Sequence, residues 1–103
     1  MTSPFALRKR LKRVIERVGE LYASGGASRF GVWAVLPRGR GSTFVDDAAV
    51  AGLPRPIRLG YVPWDDPTTV GASVVQAGRT MQVRAAVDVR LSGETVARLL
   101  VAA

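Results

Sequence analysis

Apolar residues near the start of the chain recur at three- and four-residue steps: Leu7, Leu11, Val14, Ile15, Val18, Leu21 and Tyr22. That spacing predicts an amphipathic helix with one apolar stripe, about residues 4–23. Ser3-Pro4 suits its start, because serine caps an N-terminus and proline is tolerated in the first turn. Gly19 weakens the last turn, and the Ser-Gly-Gly run at 24–26 is expected to end the helix.

Beyond Gly26 the helical period gives way to alternation. In 29–36 Phe30, Val32, Ala34 and Leu36 share one side, and Trp33 and Val35 share the other. Phe30, Val32 and Leu36 are assigned to the core, which points Trp33 to the opposite face. Both faces are apolar, so the strand is either enclosed on both sides or lies at a subunit contact. Residues 37–42 read as a Gly- and Arg-rich loop, and 43–45 as a short β-prone piece. A further strand follows at 57–62, then a loop at 63–71 with two prolines and Asp65-Asp66. The last third alternates most clearly: Met81, Val83, Ala85, Val87, Val89 and Leu91 oppose Gln82, Arg84, Ala86, Asp88 and Arg90. Turns at 77–79 and 92–94 flank this long strand, and a final strand runs to the end. The expected fold is α+β in one domain over 1–103. The N-terminal helix precedes a mainly antiparallel small β-sandwich or barrel of about five or six strands, 29–102, and covers one opening or face of it.

Charge adds asymmetry to this layout. The 103 residues carry a formal net charge of +7. Residues 1–40 hold nine of the fifteen Lys and Arg against only Glu16 and Glu20, whereas 41–103 hold six of each sign. Six of the ten positions from Arg8 to Arg17 are basic: Arg8, Lys9, Arg10, Lys12, Arg13 and Arg17. Such a face is either the wet side of an ordinary helix, a contact for nucleic-acid phosphates, or a dock for an acidic protein or anionic membrane. Membrane attachment ranks lowest, since the apolar stripe is needed to cover the sheet. The aromatics Phe30, Trp33, Tyr61 and Trp64 do not interleave with basic residues as a base-stacking platform would. Any DNA contact is therefore expected to be non-specific. Arg38 and Arg40 offer two further cations on a loop. Trp33 and Trp64, with Arg84 and Arg90 on the long strand, are candidates for a subunit interface.

Catalytic chemistry has little to build on. Cysteine and histidine are both absent, which removes Cys or His metal sites and the common His-assisted nucleophiles. Asp46-Asp47 and Asp65-Asp66 are the only carboxylate pairs, and a cation site would need both loops to meet. Asp65-Asp66 read more simply as turn-capping residues between Pro63 and Pro67. No enzyme activity, metal or cofactor is expected. No apolar run reaches the roughly 20 residues needed to span a bilayer, and no secretory signal is expected.

The order of these pieces is itself informative. "ALRKRLKRVIERVGELY" leads to "VWAVLPRGRGS" and "IRLGYVP", and then to "GASVVQAGRTMQVRAAVDVRLSGETVARLLVA". This layout resembles small neck and tail structural proteins of tailed bacteriophages and their prophage relatives, of the head-closure, head–tail connector and tail-terminator kind. The resemblance runs from Leu7 to Val101 and rests on short motifs. It implies a non-enzymatic virion protein, assembled in the host cytoplasm into a homo-oligomeric ring of the neck or tail. Its neighbours would be portal, adaptor or tail-tube proteins around the DNA channel, with packaged double-stranded DNA touched non-specifically. It implies no individual binding residues. One departure is the short stretch between Arg40 and Pro54, where a channel stopper would carry a long plug-like loop. The alternative is a free, non-sequence-specific nucleic-acid-binding β-barrel working through the basic helix. A metal-dependent enzyme using Asp46 and Asp66 comes third.

Overall fold

The computed structural model describes residues 3–35 and 57–103. One helix, α1 (Pro4–Val18), is followed by six strands: β1 (Glu20–Ser24), β2 (Ala27–Val35), β3 (Arg58–Pro63), β4 (Ser73–Gln76), β5 (Arg79–Leu91) and β6 (Glu94–Ala102). All neighbouring pairs are antiparallel, and the order β1-β2-β3-β6-β5-β4 closes into a barrel. The expected α+β class holds in its barrel form.

Ser3 caps the helix as the sequence predicts, its hydroxyl accepting from the Ala6 N–H at 3.2 Å. The far end differs. The helix stops at Val18, five residues short of expectation, and Gly19 turns the chain into extended backbone. A Cβ at Gly19 would lie 2.4 Å from the Ile15 carbonyl oxygen and 2.7 Å from that of Gly31. Only glycine lets the helix end meet β2 this closely. Leu21 and Tyr22, which continue the helical period, instead alternate out of and into the barrel. The Ser-Gly-Gly run is the β1–β2 hairpin turn, with Gly25 and Gly26 at φ of 59° and 79°, the positive-φ pair that a two-residue turn requires.

The barrel interior is one cluster: Tyr22, Trp33, Val62, Val74, Met81, Val83, Leu100 and Ala102. Trp33 therefore corrects the facing predicted for β2. It points inward, and Phe30, Val32 and Ala34 point outward and are exposed. Gly31 and Gly60 explain the reversal, because these two bare positions leave room for the indole inside the barrel wall. On β5 the predicted alternation holds for Met81 and Val83, then changes phase. A register shift between Val83 and Ala85 inserts one residue, and Ala86 packs toward the interior in place of Ala85.

The helix lies against β6, with β3 and β2 beside it. Ile15 is buried, and Leu7 and Leu11 are half-buried, so the contact stripe has a strict four-residue step. Val14 and Val18, expected in that stripe, are exposed instead. The stripe is narrow because it meets a convex barrel wall.

Candidate functional site

Six basic side chains on α1 divide into two sets. Arg8 and Lys12 flank the contact stripe and are used by the barrel. The Arg8 guanidinium carbon lies 3.8 Å from the centre of the Trp64 ring and 4.5 Å from that of Phe5, with Glu94 at 4.0 Å. A cation over aromatic faces contributes about 0.5–2 kcal/mol, so this stack pins the helix N-terminal half to the β3–β4 loop. Lys12 Nζ reaches Asp65 Oδ2 at 2.5 Å, and this hydrogen bond raises the ammonium above its usual 10.5. The pair is about one-third exposed, so its contribution to stability is small.

Lys9, Arg10, Arg13 and Arg17 form the second set. All four are exposed and make no ion pair among the described residues. Arg10, Arg13 and Arg17 follow one another at three- and four-residue steps, which aligns them along the outer side of the helix. The predicted polyanion surface thus shrinks from six residues to four, all fixed on a docked helix. Arg38, Arg40, Asp46 and Asp47 lie outside the described residues.

A second open surface is the outer side of β1, β2 and β4. Leu21 pairs with Phe30, and Ala23 pairs with Val75, so the outward residues form one strip across three strands. Leu21 is 59% exposed, Val32 40%, Val75 39% and Phe30 37%. The remaining outward strand residues are Ala23, Ser28, Ala34 and Ser73, and none of these is charged, with exposed Glu20 at the start of β1 on their border. On a chain with a net charge of +7 this is a conspicuous neutral area.

The other candidates fall in different places. Trp33 is inside the barrel, edge-on to Tyr22 with ring centres 5.2 Å apart, so its side chain is not part of an outer face. Trp64 is half-buried under Arg8. Arg84 and Arg90 are exposed on β5, and Arg84 reaches the Ala103 carbonyl at 3.4 Å.

Asp65 and Asp66 separate into distinct tasks, as a strand-end carboxylate pair must. Asp65 holds Lys12, whereas Asp66 is buried at the end of the barrel. Asp66 Oδ1 accepts from the Thr68 N–H at 2.9 Å, which makes the turn that the sequence predicts, and Oδ2 accepts from the Tyr22 hydroxyl. Sequence reasoning missed this network; Tyr22 was masked by its fit to the helical period. Among the described residues no three carboxylates converge on a common point, and no helix is long and apolar enough to cross a membrane. No protein-family model, curated protein or solved structure matches the chain.

Proposed function

We propose that the protein is a non-enzymatic structural component of the neck or tail of a tailed phage or phage-like particle, working as part of a homo-oligomeric ring around the DNA channel. The observation that carries this reading is the neutral apolar strip on β1, β2 and β4. Four hydrophobic side chains left in water on one wall of a small barrel mark a contact surface. An uncharged wall also lets copies of a basic chain meet without bringing like charges together. The layout of helix, barrel and C-terminal hairpin supports the same role. In such a ring the free cations of α1 face either DNA or an acidic neighbour such as a portal, adaptor or tail-tube protein.

Native mass spectrometry of the full chain tests the ring. The expected result is a closed oligomer, commonly six or twelve copies, that Leu21→Asp with Phe30→Asp dissolves while the thermal transition stays in place. A strictly monomeric wild-type protein that also fails to join purified portal or tail tubes would overturn the reading.

A second reading is a free, non-specific nucleic-acid-binding barrel, favoured by the unpaired Lys9, Arg10, Arg13 and Arg17. Each phosphate contact contributes about 0.9 to the slope of log affinity against log salt, so Arg10→Gln, Arg13→Gln and Arg17→Gln together should reduce that slope by roughly 2–3. Equal affinity for duplexes of unrelated sequence is expected. Binding that is absent in dilute buffer would exclude this reading.

A further inference from the structure

The barrel closes at one end only of its longest strand. β5 pairs with β4 through Arg79–Gln82, and the Val83 carbonyl and N–H then bond to Gly71 and Ala72 at 2.8 and 2.9 Å. From Arg84 to Leu91 the only strand beside β5 among the described residues is β6. Eight residues of this hairpin thus have a ladder on one side and, among the described residues, an open edge on the other.

The register decides which backbone groups that edge offers. Gln82 exchanges both of its bonds with Ala103, at 3.0 and 3.1 Å, so Gln82 faces β6 and Val83 faces away. The inserted residue before Ala85 reverses this order. Ala85, Val87 and Val89 then face β6, while Ala86, Asp88 and Arg90 present N–H and C=O to the open side. An edge of this kind is a template for another strand.

We propose that this edge pairs antiparallel with the same edge of a second copy of the chain, centred on Val89. Charge selects the copy and the register together. Only registers that oppose Ala86, Asp88 and Arg90 with one another satisfy the open backbone groups. Centring on Asp88 sets two carboxylates face to face, and centring on Val87 brings Arg84 against Arg90. Centring on Val89 sets Asp88 opposite Arg90 of the second copy, twice, and Val87 opposite Leu91, twice. The groups are available: Arg90 is exposed and has no ion pair among the described residues, and Asp88 engages Arg98 through Oδ1 alone, at 3.1 Å. The two-fold contact yields a dimer by itself, and rings would be assembled from such dimers through the apolar wall of β1, β2 and β4.

The chain lacks cysteine, so an introduced thiol is unique. At the centre of this register the two Val89 positions form a non-hydrogen-bonded pair about 4.5 Å apart at Cα, within reach of a disulfide. Under mild oxidation Val89→Cys should cross-link to a dimer. Val87→Cys and Leu91→Cys should each stay uncross-linked alone and cross-link when mixed. Arg90→Asp should weaken dimerisation at least tenfold in analytical ultracentrifugation with an unchanged thermal transition. Absence of the Val89 cross-link, equal cross-linking of all three single variants, or undiminished dimerisation of Arg90→Asp would overturn the pairing. Rings that form without the Val89 cross-link would remove this contact and leave the ring standing. Cross-linked dimers that never close into rings would do the reverse.

Discussion

Gly60→Ala is expected to destabilise the barrel strongly, because the added carbon lands on Trp33. A Cβ there would sit 2.6, 2.7 and 2.8 Å from Cη2, Cζ2 and Cε2 of the indole, and Gly60 is also the direct cross-strand partner of Trp33. The ring cannot retreat along its own strand, since Gly31 already cradles the other side and its Cβ would lie 2.8 Å from Nε1. Overpacking of a fixed core costs about 1–3 kcal/mol, and the upper end applies here because the indole is held between Gly60 and Gly31. Trp33→Ala removes the largest core side chain and should cost about 3–5 kcal/mol. Combining Gly60→Ala with Trp33→Leu should recover part of the loss from Trp33→Leu alone, because the methyl then fills space the indole has left. Urea denaturation of the four proteins checks this. Additive losses would show that Gly60 and Trp33 do not compete for one volume.

The same pair of glycines marks what the sequence leaves hidden. Alternation locates β2 and β5 well, but it cannot say which side of a strand faces inward when both sides are apolar. Phe30 and Val32 are better hydrophobic candidates than Gly31, and judged singly they take the core. The deciding fact is that Gly31 and Gly60 come together across two strands separated in sequence, which is a property of register. The phase change on β5 is hidden for a related reason. Ala85 and Ala86 are alike, so a one-residue insertion between Val83 and Val87 leaves no mark on the pattern. Gly19 marks only a weak point in the predicted helix, and its end there is hidden because Leu21 and Tyr22 keep the helical period while belonging to a strand.

Charge reads differently. The concentration of cations on α1 is visible at once, yet its division is not. Arg8 and Lys12 are one helical turn apart and sit beside Leu7 and Leu11, so their side chains are the ones that reach Trp64, Glu94 and Asp65. Those partners come from the β3–β4 loop and the start of β6, which the fold alone brings under the helix. What remains for an outside partner is the far side of the helix, and the uncharged wall of β1, β2 and β4 borders the helix at the cleft that Phe30 shares with Lys12 and Glu16.

Asp66→Ala should be the most damaging change to a polar side chain, with a loss of about 2–5 kcal/mol. Its carboxylate serves the Tyr22 hydroxyl and the Thr68 N–H, both buried, and truncation strands two donors at once. The loop carrying Asp66 is also held by Arg98, whose Nη1 donates to the Asp66 and Thr68 carbonyls at 2.5 and 2.7 Å, and by a 2.9 Å hydroxyl contact between Ser24 and Thr68. Those bonds should keep the variant folded enough to measure. Tyr22→Phe removes one donor and leaves the carboxylate with the Thr68 N–H, so about 1–3 kcal/mol is expected. In the double variant the loss should fall short of the sum, since each single change strands the partner that the other removes. The pair also gives an alkaline signature. Burial pushes the Tyr22 phenol well above its usual 10, and the hydrogen bond to Asp66 adds to this. The unfolded chain therefore releases this proton near pH 10 while the folded chain retains it, so the tyrosine's share of stability is complete below pH 10 and declines as pH rises beyond it. Urea midpoints measured from pH 8 to pH 11 should fall in the wild type and fall less in Tyr22→Phe. Parallel curves for the two proteins would mean that Tyr22 ionises as freely in the barrel as in the open chain.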